Sequence, residues 1–417
     1  VGDGQDITES MLHKRIEEEA YIVEPEVIFT SSGSKTKENH GITYNNGEVK
    51  QPWSMLHEDT VQLIASYLHP FDYKEFRSSW KENRSILPVV KQTSTPNRIL
   101  NSTYVSPCLV YISTDDCTVY NIVDPMHNNE NYLMKLPLLR GARIRFQKGG
   151  WLLMSEGACR LFFHNPFTKE TIELPNLPRS YDFSNISFSS LPTCSDCVVS
   201  GIRVSGMSSI HVYLIARGEN SWKFNEFDNI DLEYYMSLLC TPALRKGILY
   251  RVDYNGLLGA FNLDDGINRT FKVLEKPRKL FNRAYPSFLV ECGGDLMLVK
   301  LGHIGTFVGI FRLNFSRMEW VKVKTLGKYM LFVSYTSCIS RIAPNSSMEN
   351  KIYFPRLSLH GEGILYYSLD TGCYHSLGSP LSFKDFSDSK GWPSWFWIEP
   401  NWSRSSVQEL NWTMTLS

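Results

Sequence analysis

A short apolar stretch returns six times along this chain, and the recurrence narrows the folds open to it more than any other property. The copies read Leu109-Val110-Tyr111-Ile112, Gly150-Trp151-Leu152-Leu153, Ile210-His211-Val212-Tyr213, Gly247-Ile248-Leu249-Tyr250, Asp295-Leu296-Met297-Leu298 and Lys351-Ile352-Tyr353-Phe354. They stand roughly 35–60 residues apart, are rich in β-branched and aromatic residues, and are separated by Gly, Asn, Asp and Pro turns. Two of them lead into sharper second halves, Leu161 to Pro175 and Leu258 to Gly266, which read as strand, turn, strand. A four-stranded blade takes about 40–50 residues and cannot bury its faces alone, so six such units predict radial closure into a β-propeller. The stretches 181–199 and 322–342 are not assigned by this pattern and leave room for a seventh blade. A β-sandwich, or two smaller β-domains, shares the same composition and turn spacing and stays open as an alternative.

Ahead of the repeats the pattern changes. Residues 1–50 lack apolar periodicity and are turn-rich, which reads as a flexible arm. From Trp53, the residues Val61, Ile64 and Leu68 recur at i, i+3 and i+7, the spacing of one helical stripe. Asp59 and Gln62 suggest a capping box for that helix, and Pro70 should end it. Asp72 and Glu75 mark a second helix with Tyr73, Phe76 and Trp80 on one face. The expected division is an arm over 1–50, a small all-α unit over 51–92, a propeller over 93–403 and a C-terminal tail over 404–417.

The 417 residues hold 43 basic and 43 acidic side chains, so no net charge draws the chain to nucleic acid or an anionic membrane. No apolar run reaches the roughly 18 residues that span a bilayer, and Val1 to Glu19 is too polar for a signal peptide, which places the chain in cytoplasm or nucleus as an expectation. Nine cysteines fit reduced thiols better than a disulfide framework, and Cys194-x-x-Cys197 lacks the second pair a zinc site needs. The sequons at Asn101 and Asn268 are read as chance for want of a secretory signal. No nucleophile elbow, phosphate-binding glycine loop or HExxH occurs. His164 reads as a satisfied strand histidine, and Asp115-Asp116 and Asp264-Asp265 as hairpin turns rather than acid–base pairs. Trp392, Trp395, Trp397 and Trp402 read as packing that locks the last blade to the first.

The segment Trp53-Ser54-Met55-Leu56-His57-Glu58-Asp59 through Ile64, Leu68, Asp72, Phe76-Arg77 and Trp80 resembles the F-box. The repeat region resembles the KIB-type propeller of plant F-box proteins, most specifically at Gly150-Trp151-Leu152-Leu153, Asn165-Pro166-Phe167-Thr168, Leu174-Pro175, 363–372 and Trp395 to Pro400. The resemblance implies a non-catalytic substrate receptor of a Skp–cullin–F-box ubiquitin ligase, needing no cofactor. Its F-box would dock a Skp-type adaptor, and through it a cullin, while the propeller holds a target protein. Leu56, Val61, Ile64, Leu68, Phe71 and Phe76 are the candidate adaptor contacts, and each could instead serve the F-box's own core. Two departures bear on this: His57 stands where the family has proline, and the run from Phe76 to Trp80 is about three residues short, which turns the later helix residues by about 100° for each one missing. They motivate the alternative of an adaptor-independent interaction scaffold.

Overall fold

The computed structural model describes residues 57–68, 70–79, 105–112, 118–126, 130–137, 140–178, 185–205, 209–227, 241–252, 258–263, 271–274, 286–302, 305–357, 364–376, 379–381 and 395–413. The expected arm, Leu56, Trp80, Trp392, both sequons and the acidic pairs at 115–116 and 264–265 lie outside the described residues.

Six sheets form the six blades of a propeller. Blade 1 holds β1 (Cys108–Ile112), β2 (Val119–Asp124) and β3 (Glu130–Lys135). Blade 2 runs through β4 (Ala142–Lys148), β5 (Trp151–Glu156), β6 (Arg160–Asn165) and β7 (Glu170–Glu173). Blade 3 comes next with β8 (Asn185–Phe188), β9 (Val198–Ser205), β10 (Ser209–Ala216) and β11 (Lys223–Phe227). Blade 4 has β12 (Ala243–Arg245), β13 (Ile248–Val252), β14 (Leu258–Asn262) and β15 (Phe271–Val273). Blade 5 has β16 (Ser287–Cys292), β17 (Asp295–Leu301), β18 (Val308–Asn314) and β19 (Glu319–Val323). Blade 6 is larger, with β20 (Tyr329–Val333), β21 (Cys338–Ile342), β22 (Lys351–Leu357), β23 (Ile364–Ser368), β24 (Cys373–Ser376) and β25 (Ser379–Leu381) in the order β21-β20-β22-β23-β24-β25.

The ring closes because β26 (Phe396–Ile398) returns to pair antiparallel with β1, Leu109 opposite Trp397. One blade is thus made from both ends of the propeller, and closure removes the edge that the first three strands would expose. The core obeys the same geometry. Among the described residues it consists of six apolar clusters, each between two consecutive blades, the last joining blade 6 to blade 1.

Blade 2 shows why the repeated motif reads as unbroken apolar sequence. Trp151 and Leu153 face blade 3, whereas Leu152 and Met154 face blade 1, as the period of two demands. A strand buried on both faces has no polar alternation to display.

Each of the six repeat copies falls in a different blade, on β1, β5, β10, β13, β17 and β22. In blade 3 the copy sits one strand late, since β9 occupies the place that β5 fills in blade 2. The stretches that left room for a seventh blade are absorbed. Residues 185–188 and 198–199 begin blade 3, and 329–342 form a hairpin on the inner side of blade 6, where β20 runs parallel to β22.

Among the described residues two helices precede the blades, α1 (Glu58–Tyr67) and α2 (Pro70–Ser79). The first is capped by His57, whose ring nitrogen accepts the Asp59 N–H at 3.4 Å, rather than by the expected pairing of Asp59 with Gln62. Glu58 and Asp59 then lie in the first turn, where the helix dipole favours acids. The second begins two residues before the expected Asp72, because proline at the first helical position gives up no hydrogen bond.

Candidate functional site

Of the six residues expected to meet an adaptor, Val61 is buried, and Ile64, Leu68, Phe71 and Phe76 are half-buried. Ala65, one turn after Val61, is buried as well, and its small side chain gives the sequence no signal that marks it as more than a spacer. Tyr73 is also buried, which raises its phenol above the usual range, partly offset by Arg77.

Phe71 has a definite seat on the propeller. Its ring stacks on Tyr132 of β3 at 4.8 Å between centroids, meets Trp402 edge-on at 5.3 Å and packs on Phe167 at 5.9 Å. Its neighbour Asp72 accepts a hydrogen bond from the Tyr132 hydroxyl at 2.8 Å. Five residues at about 100° each put Phe76 about 140° around the helix from Phe71, so the two rings cannot serve one surface. The structure therefore separates them: Phe71 holds the helices to blades 1 and 2, and Phe76 lies on another part of the helix circumference.

The seat is built by the Asn165-Pro166-Phe167-Thr168 motif. Buried Asn165 caps the β6–β7 turn, its Oδ1 accepting from Phe167 N at 2.9 Å and Thr168 N at 3.3 Å, while its Nδ2 donates to the Asn401 carbonyl at 3.1 Å. This is an Asx turn whose second function is to hold the returning C-terminal segment. Gly150, at φ +84°, is required for the same approach, because a Cβ there would lie 2.9 Å from the Glu399 carbonyl. The segment 404–417, expected as a tail, packs on blades 2 and 3 as far as it is described. Ser405 N donates to Glu170 at 2.9 Å, and Arg217 donates to the carbonyls of Gln408, Glu409 and Asn411. Trp412 is buried against Phe163.

Trp397 is fully buried between blades 6 and 1, its indole N–H donating to the Val333 carbonyl at 3.2 Å, and Trp395 stacks on Tyr111 at 4.5 Å. Both therefore act in closure. His164 is buried on β6 with its Nδ1 3.1 Å from the Thr171 hydroxyl, and burial lowers its pKa. Cys197 is likewise buried, its thiol pushed up to about 12 by desolvation, which keeps it protonated and unreactive.

At the axis the inner strands surround a cavity of about 180 Å³. Its polar lining comes from Gln147 and Lys148 of β4, Ser187 of β8, Glu291 of β16, Ser340 and Arg341 of β21, and Glu399. Arg341 forms an ion pair with Glu399, whose other oxygen accepts the Gly149 N–H at 3.1 Å.

Helices seated on a closed six-bladed ring define the class: a propeller carrying an F-box-like helical pair. The profile of the KIB1-4 beta-propeller family matches residues 119–375, from β2 to β24, and the chain belongs to that family of plant F-box proteins. An F-box/kelch-repeat protein of Arabidopsis thaliana is 30% identical over 307 residues, covering 71% of this chain and 82% of the relative. Two F-box proteins from the same plant are 31% identical over 56% of this chain and 49% of the relative, and 29% identical over 68% and 72%.

Proposed function

We propose that this chain is the substrate-recognition subunit of a Skp–cullin–F-box ubiquitin ligase, acting in cytoplasm or nucleus. Its helices would dock a Skp-type adaptor, and its propeller would hold a target protein. The observation that supports this most is the seating of Phe71 on blades 1 and 2, which fixes the helical pair relative to the ring. A receptor of this kind makes and breaks no bonds itself. It raises the effective concentration of a target lysine at the loaded conjugating enzyme, and that gain depends on holding both ends in register.

With Phe71 committed to the propeller, Ile64, Leu68 and Phe76 are left as the adaptor contacts of the described helices. The test is co-purification of the full chain with a Skp-type adaptor, set beside an Ile64→Asp, Leu68→Asp double variant. Binding that the variant loses supports the receptor. No binding by the unaltered chain, gained when proline replaces His57 and the residues missing before Trp80 are inserted, supports instead an adaptor-independent scaffold. The run from Phe76 to Trp80, about three residues shorter in sequence than the family's, and the use of Phe71 by the propeller are the observations that favour that second reading.

A further inference from the structure

Two consecutive residues on the axial side of β4 carry polar groups that the described residues satisfy only in part or not at all. Gln147 is 2% exposed, and neither atom of its amide has a hydrogen-bond partner among the described residues. Lys148 is half-buried, its ammonium donates to the Ser189 carbonyl, and no carboxylate lies within ion-pair distance of it among the described residues. Burial lowers its pKa, as expected of a cation short of a counter-charge, with Asp196 and Glu291 opposing at longer range. Buried polar groups are ordinarily satisfied, and an orphaned amide beside an uncompensated ammonium costs stability unless something else completes it.

The local backbone brings these two residues to the cavity. A bulge interrupts the pairing of β4 with β5 between Ile144 and Phe146, leaving Arg145 as the extra residue. Such a bulge inverts the faces of every later residue in the strand. Ile144 packs on the blade 1 side, Phe146 turns to blade 3 and meets Phe188 at 5.3 Å, and Gln147, opposite Leu152, comes back to the blade 1 side. Gln147 and Lys148 therefore line the axis from the two faces of one sheet.

The remaining charges at the cavity are one internal ion pair and one carboxylate held at a turn. Arg341 and Glu399 pair with each other, and Glu291 accepts the Gly294 N–H at 2.6 Å. What Gln147 and Lys148 leave open is donor-rich: ammonium hydrogens and an amide NH₂, with one amide oxygen. A volume of about 180 Å³ equals roughly six waters, below the range of drug-sized ligand pockets, and suits a single acidic group.

We infer that the axial cavity is a receptor for a carboxylate, with Lys148 as its charge partner and the Gln147 amide as its hydrogen-bonding partner. The carboxylate comes either from a small free acid or from a Glu or Asp side chain that a bound protein inserts along the axis; the latter case rests on the receptor function proposed above. Carboxylate binding is measured without an adaptor, so the two ideas fail separately.

The experiment is calorimetric titration of the purified chain with two probes at low ionic strength. One is malonate, and the other is a capped Gly-Glu-Gly peptide paired with its Gly-Gln-Gly analogue. The expected result is saturable binding of at least one acid probe, weakened about tenfold or more in Lys148→Met and in Gln147→Leu and kept in Lys148→Arg. Malonate binding alone assigns a free acid; binding of the Glu peptide but not its Gln analogue assigns a side chain. Gln147→Leu should at the same time raise the melting temperature, since it removes the orphaned amide, so its loss of binding cannot come from misfolding. Absence of binding by both acid probes, or binding that both variants leave unchanged, overturns the inference.

Discussion

Two aromatic clusters meet blade 1, and they hold different things. The Trp397 cluster joins it to blade 6, is fully buried, and binds Leu109, Met330, Phe332 and Tyr353 into one apolar layer. The Phe71 cluster joins it to the helices, is only half-buried, and touches the propeller through three rings and one hydrogen bond. Similar side chains thus perform two tasks separated by burial. A buried cluster between consecutive blades decides whether the ring exists, whereas a half-buried one beside blades 1 and 2 decides how an attached unit is held.

The largest expected effect belongs to closure. Trp397→Ala removes a buried indole and leaves a cavity where the chain ends meet, and should lower global stability by about 3–5 kcal/mol, read as the denaturant midpoint. A loss no greater than that of Phe71→Ala would break the distinction between the clusters. Arg217→Ala comes next. Arg217 ties 408–411 to blade 3 and places its guanidinium 5.8 Å from the Trp412 ring centroid, so its removal should cost about 2–3 kcal/mol and expose the C-terminal segment to protease before the ring unfolds.

Phe71→Ala should behave differently. Its ring pairs are worth about 0.5–1.5 kcal/mol each, partly lost to solvent at this exposure, so propeller stability should barely move. Amide exchange in 58–79 should accelerate, and under the receptor proposal target ubiquitination should fall while adaptor binding persists. Loss of adaptor binding itself would return Phe71 to the adaptor surface.

How far the sequence reveals these features depends on range. The blades are legible because each copy of the motif reports a local property, a strand buried on both faces. The inner hairpin of blade 6 is not, since its parallel pairing joins 330–332 to 351–353 across an intervening strand. Val61 and Ile64 are legible as a helical stripe, but the seat of Phe71 needs Tyr132, Phe167 and Trp402, which no periodicity connects. The bulge at Arg145 leaves no mark either: nothing in Ala142 to Lys148 says where the alternation slips, so Gln147 reads as an ordinary strand residue until its register is known.

The smallest effect concerns the helix start, where His57 departs from the family's proline. The residue lies at φ −63°, the value a proline ring would impose, and its side-chain hydrogen bond to Asp59 is long and exposed. The departure therefore preserves the backbone direction. His57→Pro should leave helix stability unchanged or raise it by at most about 1 kcal/mol, through lower entropy of the unfolded chain, and should leave adaptor affinity within about twofold. A larger gain in affinity would mean that the histidine side chain, rather than its backbone, obstructs the adaptor, and would shift the comparison: the attached unit would then be tuned at α1 as well as at Phe71.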